Sequence, residues 1–411
     1  MKNVVGIIGE YNPFHNGHKY HLEESKRITN ADYSVAIISG NFVQRGNVSM
    51  VDKWTKAYMA LCNGVDLVLE LPTVYSISSA ENFAAGAIRI LDSLNIVDYL
   101  SFGSELADIS VLDKLAETFY RQPSEYVSLL NHELSKGLSF PKARENAALM
   151  YLNDIRKYTN VLSSPNNILG IEYLKALKVQ KSVIEPIAIP RVAVGYHDLR
   201  TKQEYASATA IREMVRTNHL SKLPYVMPAS TYKILYRAFQ KGHYVKDLSR
   251  FEKEIIYKLR TMSLSEIAAL PDVSEGLEHA LKNAACSCNT LEEFMNIIQT
   301  KRYTNTRIQR ILVCALLGIT KADMKLSKKV SPYARVLGFT PKGKELLSMI
   351  ATSKQNNTEV ITSVKKYLDS NPNKNLKHLL EIDLRATDIY TVGYAKDSWA
   401  NLDFTHNMII L

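Results

Sequence analysis

The chain opens with a short apolar run, a turn rich in glycine and asparagine, and a helix start. The run 4–8 predicts a buried strand, and Pro13 is expected to stiffen the turn after it. His15 and His18 are three residues apart, so on a first helical turn both imidazoles can face one spot. Gly17 would let a ligand approach the backbone closely. This spot lies beside the free N–H groups and the positive end of a helix, and it therefore suits a phosphate.

The segment His15-Asn16-Gly17-His18 resembles the HxGH motif of the nucleotidyltransferase superfamily, which also includes the class I aminoacyl-tRNA synthetases. In that superfamily the two histidines bind ATP phosphates and stabilise charge while the α-phosphate is attacked. The resemblance therefore predicts that His15 and His18 are catalytic. The alternative is a histidine pair that only packs on a helix, and the preceding strand, the turn and Gly17 speak against it.

Apolar runs alternate with amphipathic helices through the first half of the chain. The predicted strands after the first are 33–38, 65–69, 99–102 and 183–189, and the predicted helices between them include 52–62 and 78–94. This alternation predicts an α/β fold, a Rossmann-like parallel sheet with crossover helices. Ligands bind beyond the carboxyl ends of such strands, where the first turn and the loops 39–46 and 103–105 would meet.

Beyond Pro228 the strand signals fade and the pattern becomes helical. We therefore predict two domains, an ATP-binding nucleotidyltransferase-like catalytic domain over residues 1–225 and a mainly helical domain over residues 226–411. Prolines at positions 224 and 228 mark the boundary. The last ~60 residues mix short helical and strand signals and receive no assignment.

A second motif occupies residues 206–212. Ser207 or Thr209 can cap a helix there, and Arg212 lies one turn inside that helix. The motif resembles the S-x-T-x-I-R motif of the same superfamily, which holds the β- and γ-phosphates. Hydroxyl groups and a guanidinium are suitable donors for a triphosphate. The alternative is a plain helix cap, and the order of the two motifs, with this one after the last predicted strand, favours phosphate binding.

The net charge is +10 and the isoelectric point is about 9.1. This balance fits either a polyanionic partner or a basic enzyme without one. The segment 301–310 carries four cations, no acidic residue and one tyrosine, and four lysines follow it. These cations are Lys301, Arg302, Arg307, Arg310, Lys321, Lys325, Lys328 and Lys329. Cations beside an aromatic residue and amides suit RNA phosphates and unstacked bases, although a solvated helix face would look similar.

Four cysteines at irregular spacing predict neither a zinc site nor a disulfide framework, and they fit a reduced cytoplasm. The chain enters a strand at once without a signal segment, and no apolar run approaches ~20 residues. We therefore expect a cytoplasmic protein with no membrane span.

The sequence resembles one family more closely than it resembles the superfamily as a whole. The residues that carry it are the runs 10–18, 39–46, 102–105, 165–170, 206–212 and 300–303. Together they resemble the bacterial tRNA(Met) cytidine acetate ligase family, from the N-terminus to about residue 345. The resemblance implies an ATP-dependent ligase. Acetate attacks the α-phosphate of ATP to form acetyl-adenylate, and N4 of the wobble cytidine of elongator tRNA(Met) then accepts the acetyl group to give N4-acetylcytidine.

The resemblance also implies which residues act. His15, His18 and Arg212 would be the catalytic donors, with support from Ser207 and Thr209. The other residues implied in ATP binding are Ile7, Ile8, Gly9, Glu10, Tyr11, Asn12, Pro13, Phe14, Asn16, Gly17, Lys19, Tyr20, Gly103, Asn166, Asn167 and Arg191. The helical domain 226–411 would bind tRNA, with ATP and acetate as the other substrates. No metal ligand is assigned in the protein, and both a magnesium requirement and the oligomeric state stay open.

Two other functions fit part of the pattern. A nucleotidyltransferase could transfer AMP to a small phosphorylated metabolite, but the basic helical half would then have no use. A non-catalytic RNA-binding protein could keep the same scaffold, but the intact residues His15, His18 and Arg212 speak against it.

Overall fold

The computed structural model describes residues 2–191, 205–274, 276–299, 303–353 and 358–411. Strands from both halves of the chain build one large sheet, and a small hairpin lies beside it. In chain order, the strands are β1 (Val4–Gly9), β2 (Tyr33–Ser39), β3 (Phe42–Val43), β4 (Asn47–Val48), β5 (Leu67–Leu71), β6 (Tyr99–Ser104), β7 (Glu185–Pro190), β8 (Tyr333–Phe339), β9 (Glu359–Ile361) and β10 (Ile409–Ile410). The large sheet has the order β10-β8-β5-β2-β1-β6-β7, with β9 beside β8, and β3 pairs with β4.

Helices fill most of the rest. In the first half they are α1 (Asn16–Thr29), α2 (Lys53–Leu61), α3 (Thr73–Ser76), α4 (Ala80–Ser93), α5 (Ile109–Arg121), α6 (Ser124–Ser135), α7 (Phe140–Leu152), α8 (Ile155–Tyr158) and α9 (Pro165–Gln180). In the second half they are α10 (Ala208–Arg216), α11 (Leu223–Val226), α12 (Ala229–Lys241), α13 (Glu252–Thr261), α14 (Leu264–Ala268), α15 (Leu277–Ser287), α16 (Leu291–Ile298), α17 (Asn305–Leu317), α18 (Lys321–Lys329), α19 (Pro341–Thr352), α20 (Val364–Asp369), α21 (Lys374–Val392) and α22 (Leu402–Thr405).

The central five strands β5, β2, β1, β6 and β7 are parallel, as predicted. β1 and β2 are buried along almost their whole length, which explains their unbroken apolar sequences. β2 follows β1 on one side and β6 lies on the other, so the connections diverge from β1 in opposite directions. Such a switch point opens a crevice at the carboxyl ends of the strands, and this crevice is the expected ligand site.

The last part of the chain completes the sheet. β8 runs antiparallel to β5, and β9 and β10 both pair with β8. The predicted fold class, a Rossmann-like parallel sheet followed by a mostly helical region, is confirmed, with these three strands as an addition that the sequence did not reveal. The predicted domain boundary after residue 225 stays a prediction.

Between α12 and α18 the chain is helical in its described residues, and α17 lies at the centre of this region. The α17 segment Ile311–Leu317 is buried except for the half-buried Leu316, and the helix packs against α13 and α21. It also contacts β4 of the small hairpin, so the helical region meets the sheet close to the loop after β2. In the described ranges, no helix has both the length and the apolar character that a membrane crossing needs.

Candidate active site

The turn between β1 and α1 is anchored from below by Asn12. Its Oδ1 accepts a hydrogen bond from the backbone N–H of Met50 at 2.8 Å, and its Nδ2 donates to the carbonyl of Val48 at 3.4 Å. Asn12 is buried, and so are Pro13 and Phe14. The turn is therefore held firmly against the 48–50 segment, and α1 starts at a fixed place over the end of β1.

The two histidines cap α1 reciprocally. His15 is the N-cap residue, and its Nδ1 accepts a hydrogen bond from the backbone N–H of Gly17 at 3.0 Å. His18 Nδ1 accepts from the backbone N–H of His15 at 3.2 Å. The rings stack with centroids 3.7 Å apart. This is a capping box made of imidazoles, and it explains the three-residue spacing by local hydrogen bonding.

The capping bonds also fix the chemistry of the rings. Since each Nδ1 accepts a hydrogen bond, each neutral ring carries its own proton on Nε2 and can donate from there. Burial, together with the smaller effect of the charges of Arg191 and Arg212, lowers the pKa of His15 to about 3. Burial, followed by the neighbouring charges of His15, Arg191 and His21, likewise lowers the pKa of His18 well below its usual value. Both imidazoles are therefore neutral Nε2–H donors near pH 7.

Several predicted ATP-binding residues support this pair from behind. The rings of Tyr11 and Phe14 lie 4.9 Å and 5.5 Å from the ring of His18, measured between centroids. Ile7 and Ile8 are buried in the sheet. The side chains of these four residues belong to the core, so any contact with a nucleotide would use their backbone.

Glycine is required at position 17. A Cβ atom there would lie 2.9 Å from Cε1 of the His15 ring. At Gly9 the nearest atom to a Cβ would be in the Tyr11 ring, at 3.2 Å. Both glycines therefore allow the turn to close tightly around the aromatic rings and the imidazoles.

The remaining predicted residues of α1 lie along its first turns. Asn16 donates from Nδ2 to the carbonyl of Tyr225 at 3.2 Å, which links α1 to the chain after the second motif. Lys19 is exposed and lies 3.8 Å from Glu23. Tyr20 is half-buried, with its ring 6.4 Å from that of Tyr205.

The second motif meets the first through Arg212. Ser207 caps α10 by accepting from the backbone N–H of Ala210 at 3.1 Å. Arg212 donates from Nη1 to the carbonyl of Asn12 at 2.9 Å and from Nη2 to Oγ1 of Thr209 at 3.0 Å. Two motifs that are separated by 200 residues are thus joined by one guanidinium. The hydroxyls of Ser207 and Thr209 stay exposed beside it.

On the β6 side, Glu105 accepts hydrogen bonds from residues that are predicted to bind the nucleotide. Its carboxylate accepts from Nδ2 of Asn166 at 2.6 Å and from the backbone N–H of Asn167 at 3.0 Å, and so covers the start of α9. Asn167 is buried, and its Oδ1 accepts from Ser104 Oγ at 2.7 Å. Asn167 therefore holds the loop after β6 in place, whereas Asn166 lies nearer the surface.

Arg191 extends this edge. Its backbone N–H donates to the carbonyl of Ser104, and its Nη1 donates to Oδ1 of Asn166 at 3.0 Å. A Cβ at Gly103 would be in ordinary contact with the Arg191 stem at 3.4 Å. The exposed guanidinium of Arg191 is close enough to lower the pKa of His15 and His18, after the larger effect of burial. The structure therefore brings the residues predicted from both motifs and from the β6 edge around one crevice.

Sequence reasoning missed Lys56, which lies under this crevice. Its ammonium is fully buried and donates to the carbonyls of Ser39 and Gly40, both at 2.7 Å, and of Glu10 at 3.1 Å. These carbonyls end β2 and follow β1, so one cation ties the two strand ends together. Burial lowers the pKa of Lys56 to about 7. A lysine on a helix is usually solvated, so the sequence held no signal for this role.

In the described part of the basic segment 301–310, two arginines form contacts within the protein. Arg310 pairs with the carboxylate of Asp272 at 2.8 Å, and Arg307 donates to the carbonyl of Asp272 at 2.7 Å and to Ser274 Oγ at 2.9 Å. The predicted RNA contacts of these two arginines therefore compete with a structural task. Residues 300–302, which include Lys301 and Arg302, lie outside the described residues. The described ranges contain no group of three or more histidine, cysteine or acidic side chains that could hold a metal ion.

The sequence and the structure resemble known proteins along the whole chain. The model of the family described as HIGH Nucleotidyl Transferase matches residues 1–403. A tRNA(Met) cytidine acetate ligase from Thermoanaerobacter sp. (strain X514) is 45% identical over 409 residues, which cover 99% of this chain and 100% of the relative. One of the same description from Acetivibrio thermocellus is 43% identical over 416 residues, with 99% and 100% coverage.

Two solved structures have the same fold. The Thermotoga maritima TmcAL bound with alpha-thio ATP superimposes with a TM-score of 0.93 at 32% identity, and the alignment covers all of both chains. The apo form of that protein gives a TM-score of 0.94 at the same identity and coverage. The similarity therefore extends over both halves of the chain.

Proposed function

This chain belongs to the HIGH nucleotidyl transferases and, within them, to the tRNA(Met) cytidine acetate ligase family, and we propose that it uses ATP to acetylate a tRNA cytidine. The acetyl donor is acetate, and the acceptor is N4 of the wobble cytidine of elongator tRNA(Met). A structural neighbour bound with an ATP analogue supports ATP as a substrate.

One observation carries this proposal: two neutral imidazoles at the start of α1 have their Nδ1 atoms occupied by the backbone and their Nε2–H groups left to donate. Donors of this kind stabilise a phosphate without carrying a full charge in the resting state. Binding of a triphosphate would raise the pKa of both rings, since the charge of the ligand favours the imidazolium. The site would then gain positive charge as negative charge arrives.

In the first step, an oxygen of acetate attacks the α-phosphorus of ATP. The bond from that phosphorus to the bridging oxygen breaks, and acetyl-adenylate and pyrophosphate form. Acetate is itself the nucleophile, so the enzyme needs to position the reactants and to neutralise the phosphates. His15 and His18 would donate to the phosphates, with Arg212, Ser207 and Thr209 beside the pyrophosphate end.

The β6 edge would hold the nucleoside part of ATP. Arg191 is exposed there and Asn166 is half-buried, and Gly103 lies beside the stem of Arg191. Asn167 would act indirectly, through the loop that it holds in place. The backbone of the turn 9–14 would line the phosphates, because its side chains are largely buried.

In the second step, N4 of cytidine attacks the acetyl carbonyl carbon. The bond to the adenylate oxygen breaks, AMP leaves, and the nitrogen loses a proton. The helical half of the chain would bind the tRNA, in keeping with its net positive charge and its contact with the sheet. A tRNA-modifying enzyme works where tRNA is present, so the cytoplasm is the proposed compartment.

Mass spectrometry tests this proposal directly. Elongator tRNA(Met) is incubated with the protein, ATP and ¹³C-labelled acetate, then digested to nucleosides. We expect labelled N4-acetylcytidine that requires both ATP and acetate. Transfer of AMP to a phosphorylated metabolite in place of acetate activation would contradict the proposal, and so would RNA binding without ATP turnover.

A further inference from the structure

The loop after β2 is built more rigidly than a surface loop needs to be. Its turn, Gln44-Arg45-Gly46, closes the β3–β4 hairpin. The Gln44 backbone N–H donates to Oε1 of Glu10 at 2.9 Å, and its side-chain Nε2 donates to the carbonyl of Ser78 at 3.1 Å. The turn is thus attached to the end of β1 on one side and to the start of α4 on the other.

Gly46 brings the turn into close contact with the backbone of the helical half. It has a φ of +71°, and a Cβ atom there would lie 2.3 Å from the backbone nitrogen of Arg310 in α17. Only glycine fits this contact without displacing the helix. The turn therefore lies between the two halves of the molecule and contacts both of them.

The middle residue of this rigid turn is left open. Arg45 is exposed, and within the described ranges it has no hydrogen-bond or ion-pair partner. Its charge is close enough to that of Arg212 to lower the pKa of Arg212, after the larger effect of burial, while Glu10 opposes both. Two guanidinium charges are thus near one carboxylate, which leaves a net positive charge that an anion can compensate.

The position of this charge separates it from the nucleoside pocket. Gly103, Asn166 and Arg191 lie on the β6 and β7 side of β1, whereas Arg45 follows β2 on the opposite side. Ser78, whose carbonyl accepts from Gln44, also lines a surface concavity with three lysines, Lys321, Lys325 and Lys328, and one acidic residue, Asp272. The cations therefore lead away from the ATP crevice towards the helical half, as a polymer backbone requires and a single triphosphate does not.

We propose that Arg45 binds a phosphodiester of the substrate RNA next to the reacting cytidine, and that the strand continues over Lys325 and Lys328. This inference rests on the proposed function. The Gln-Arg-Gly turn would then position the RNA relative to the acetyl-adenylate, with no part in forming it.

The test uses the full-length protein and two separate readouts. Acetate-dependent exchange of pyrophosphate into ATP measures adenylate formation without RNA, and fluorescence anisotropy measures tRNA affinity at several salt concentrations. We expect Arg45→Gln to weaken tRNA binding about fivefold to tenfold and to lower the salt slope by about one unit. The exchange rate and the KM for ATP should not change. Arg45→Lys should restore most of the affinity, because a single phosphate accepts either cation.

Arg27→Gln is the matched control. Arg27 is exposed in the last turn of α1, at the other end of the helix from His15, and should leave both readouts unchanged. Unaltered tRNA affinity in Arg45→Gln would overturn the inference. A raised KM for ATP would also overturn it, since Arg45 would then bind the triphosphate. Absence of acetate-dependent exchange in the unmodified protein would instead refute the proposed function, and the anisotropy series would still decide the role of Arg45.

Discussion

Two groups of charged and polar side chains lie at the sheet, and the protein compensates their charges in different ways. At the β5–β8 seam, Lys53 and Arg335 are buried together with Glu70 and Asp403. Lys53 lies 3.0 Å from Glu70 and 2.8 Å from Asp403, and Arg335 pairs with the same two carboxylates. Two cations meet two anions in these ion pairs, so the charges of the four side chains balance one another inside the protein.

The crevice at the end of β1 is arranged differently. His15, His18 and Arg212 take hydrogen bonds from the backbone or give them to it, so these bonds fix their positions without a direct ion pair. The comparison teaches how the two kinds of site can be told apart. A structural cluster balances its charges, whereas a binding site fixes its donors through neutral partners and leaves the balance to the ligand.

The largest expected effect is a loss of stability when one carboxylate of the seam is removed. Asp403→Asn removes one of its two carboxylates and leaves Lys53 and Arg335 with one anion. We expect a loss of about 3–5 kcal/mol in the free energy of unfolding, because an uncompensated buried charge is costly. Urea unfolding measures this loss, and the rate of acetate-dependent pyrophosphate exchange per folded molecule should stay close to its original value.

Glu345→Gln provides the exposed counterpart to that variant. Lys2 and Glu345 also join the two ends of the chain, but both side chains are more than half exposed, at 62% and 55%. Solvent screens such a pair, so we expect a much smaller loss of stability than in Asp403→Asn. Equal losses in the two variants would contradict the distinction between a buried, neutral seam and an ordinary surface ion pair.

The next effect concerns the crevice. His18→Ala removes one donor to the phosphates, and we expect the rate of pyrophosphate exchange to fall by about 10²–10³-fold. Affinity for tRNA should be nearly unchanged, because the helical half is intact. The variant also loses the acceptor for the His15 N–H, which should cost about 1 kcal/mol of stability. A loss of tRNA affinity as large as the loss of exchange would show that the two halves do not divide the work.

The sequence predicted the strand, the turn and the helix that form the crevice because their signals are local. The strand, the turn and the start of α1 at Asn16 follow from the apolar run, from the turn residues and from a spacing that a single helical turn explains. The predicted strand 33–38 and the observed β2 (Tyr33–Ser39) differ by one residue. The fold class is confirmed for the same reason, since alternating strands and helices leave few topologies.

The seam could not be predicted because its signals are distant. Arg335 lies in the middle of β8, and a charged residue inside an apolar run looks like an interruption. It becomes understandable only when Glu70 and Asp403 are placed beside it, and these residues come from far parts of the chain. Lys56 was missed in the same way, since its acceptors are backbone carbonyls that no sequence pattern displays.

A variant with a smaller expected effect tests whether a cation that already forms an ion pair can also bind RNA. Arg310 has only 13% of its side chain exposed and contacts the Asp272 carboxylate through two nitrogens, at 2.9 Å and 2.8 Å. We expect Arg310→Gln to lower the free energy of unfolding by about 1 kcal/mol and to leave the salt slope of tRNA binding unchanged. A salt slope reduced as far as in Arg45→Gln would contradict this expectation and would show that Arg310 contacts RNA.

The smallest effect uses pH to compare the neutral imidazoles with ordinary ones. Burial lowers the pKa of His21 to about 4, and the charge of Arg191 contributes to this shift. Between that value and the ordinary pKa of about 6.5, the unfolded chain binds a proton that the folded protein excludes. The free energy of unfolding should therefore fall as the pH is lowered through this window.

His21→Gln isolates one histidine of this kind, because the amide can still meet Ser101 Oγ, which lies 3.0 Å from Nε2 of His21. We expect the fall in stability between about pH 6.5 and 5.5 to be about 1 kcal/mol smaller in this variant than in the unmodified protein. Urea unfolding at the two pH values gives both numbers. If the two proteins lose stability equally, His21 takes up a proton in the folded state as readily as in the unfolded chain, and burial would then be too weak a reason to regard the rings at the start of α1 as neutral.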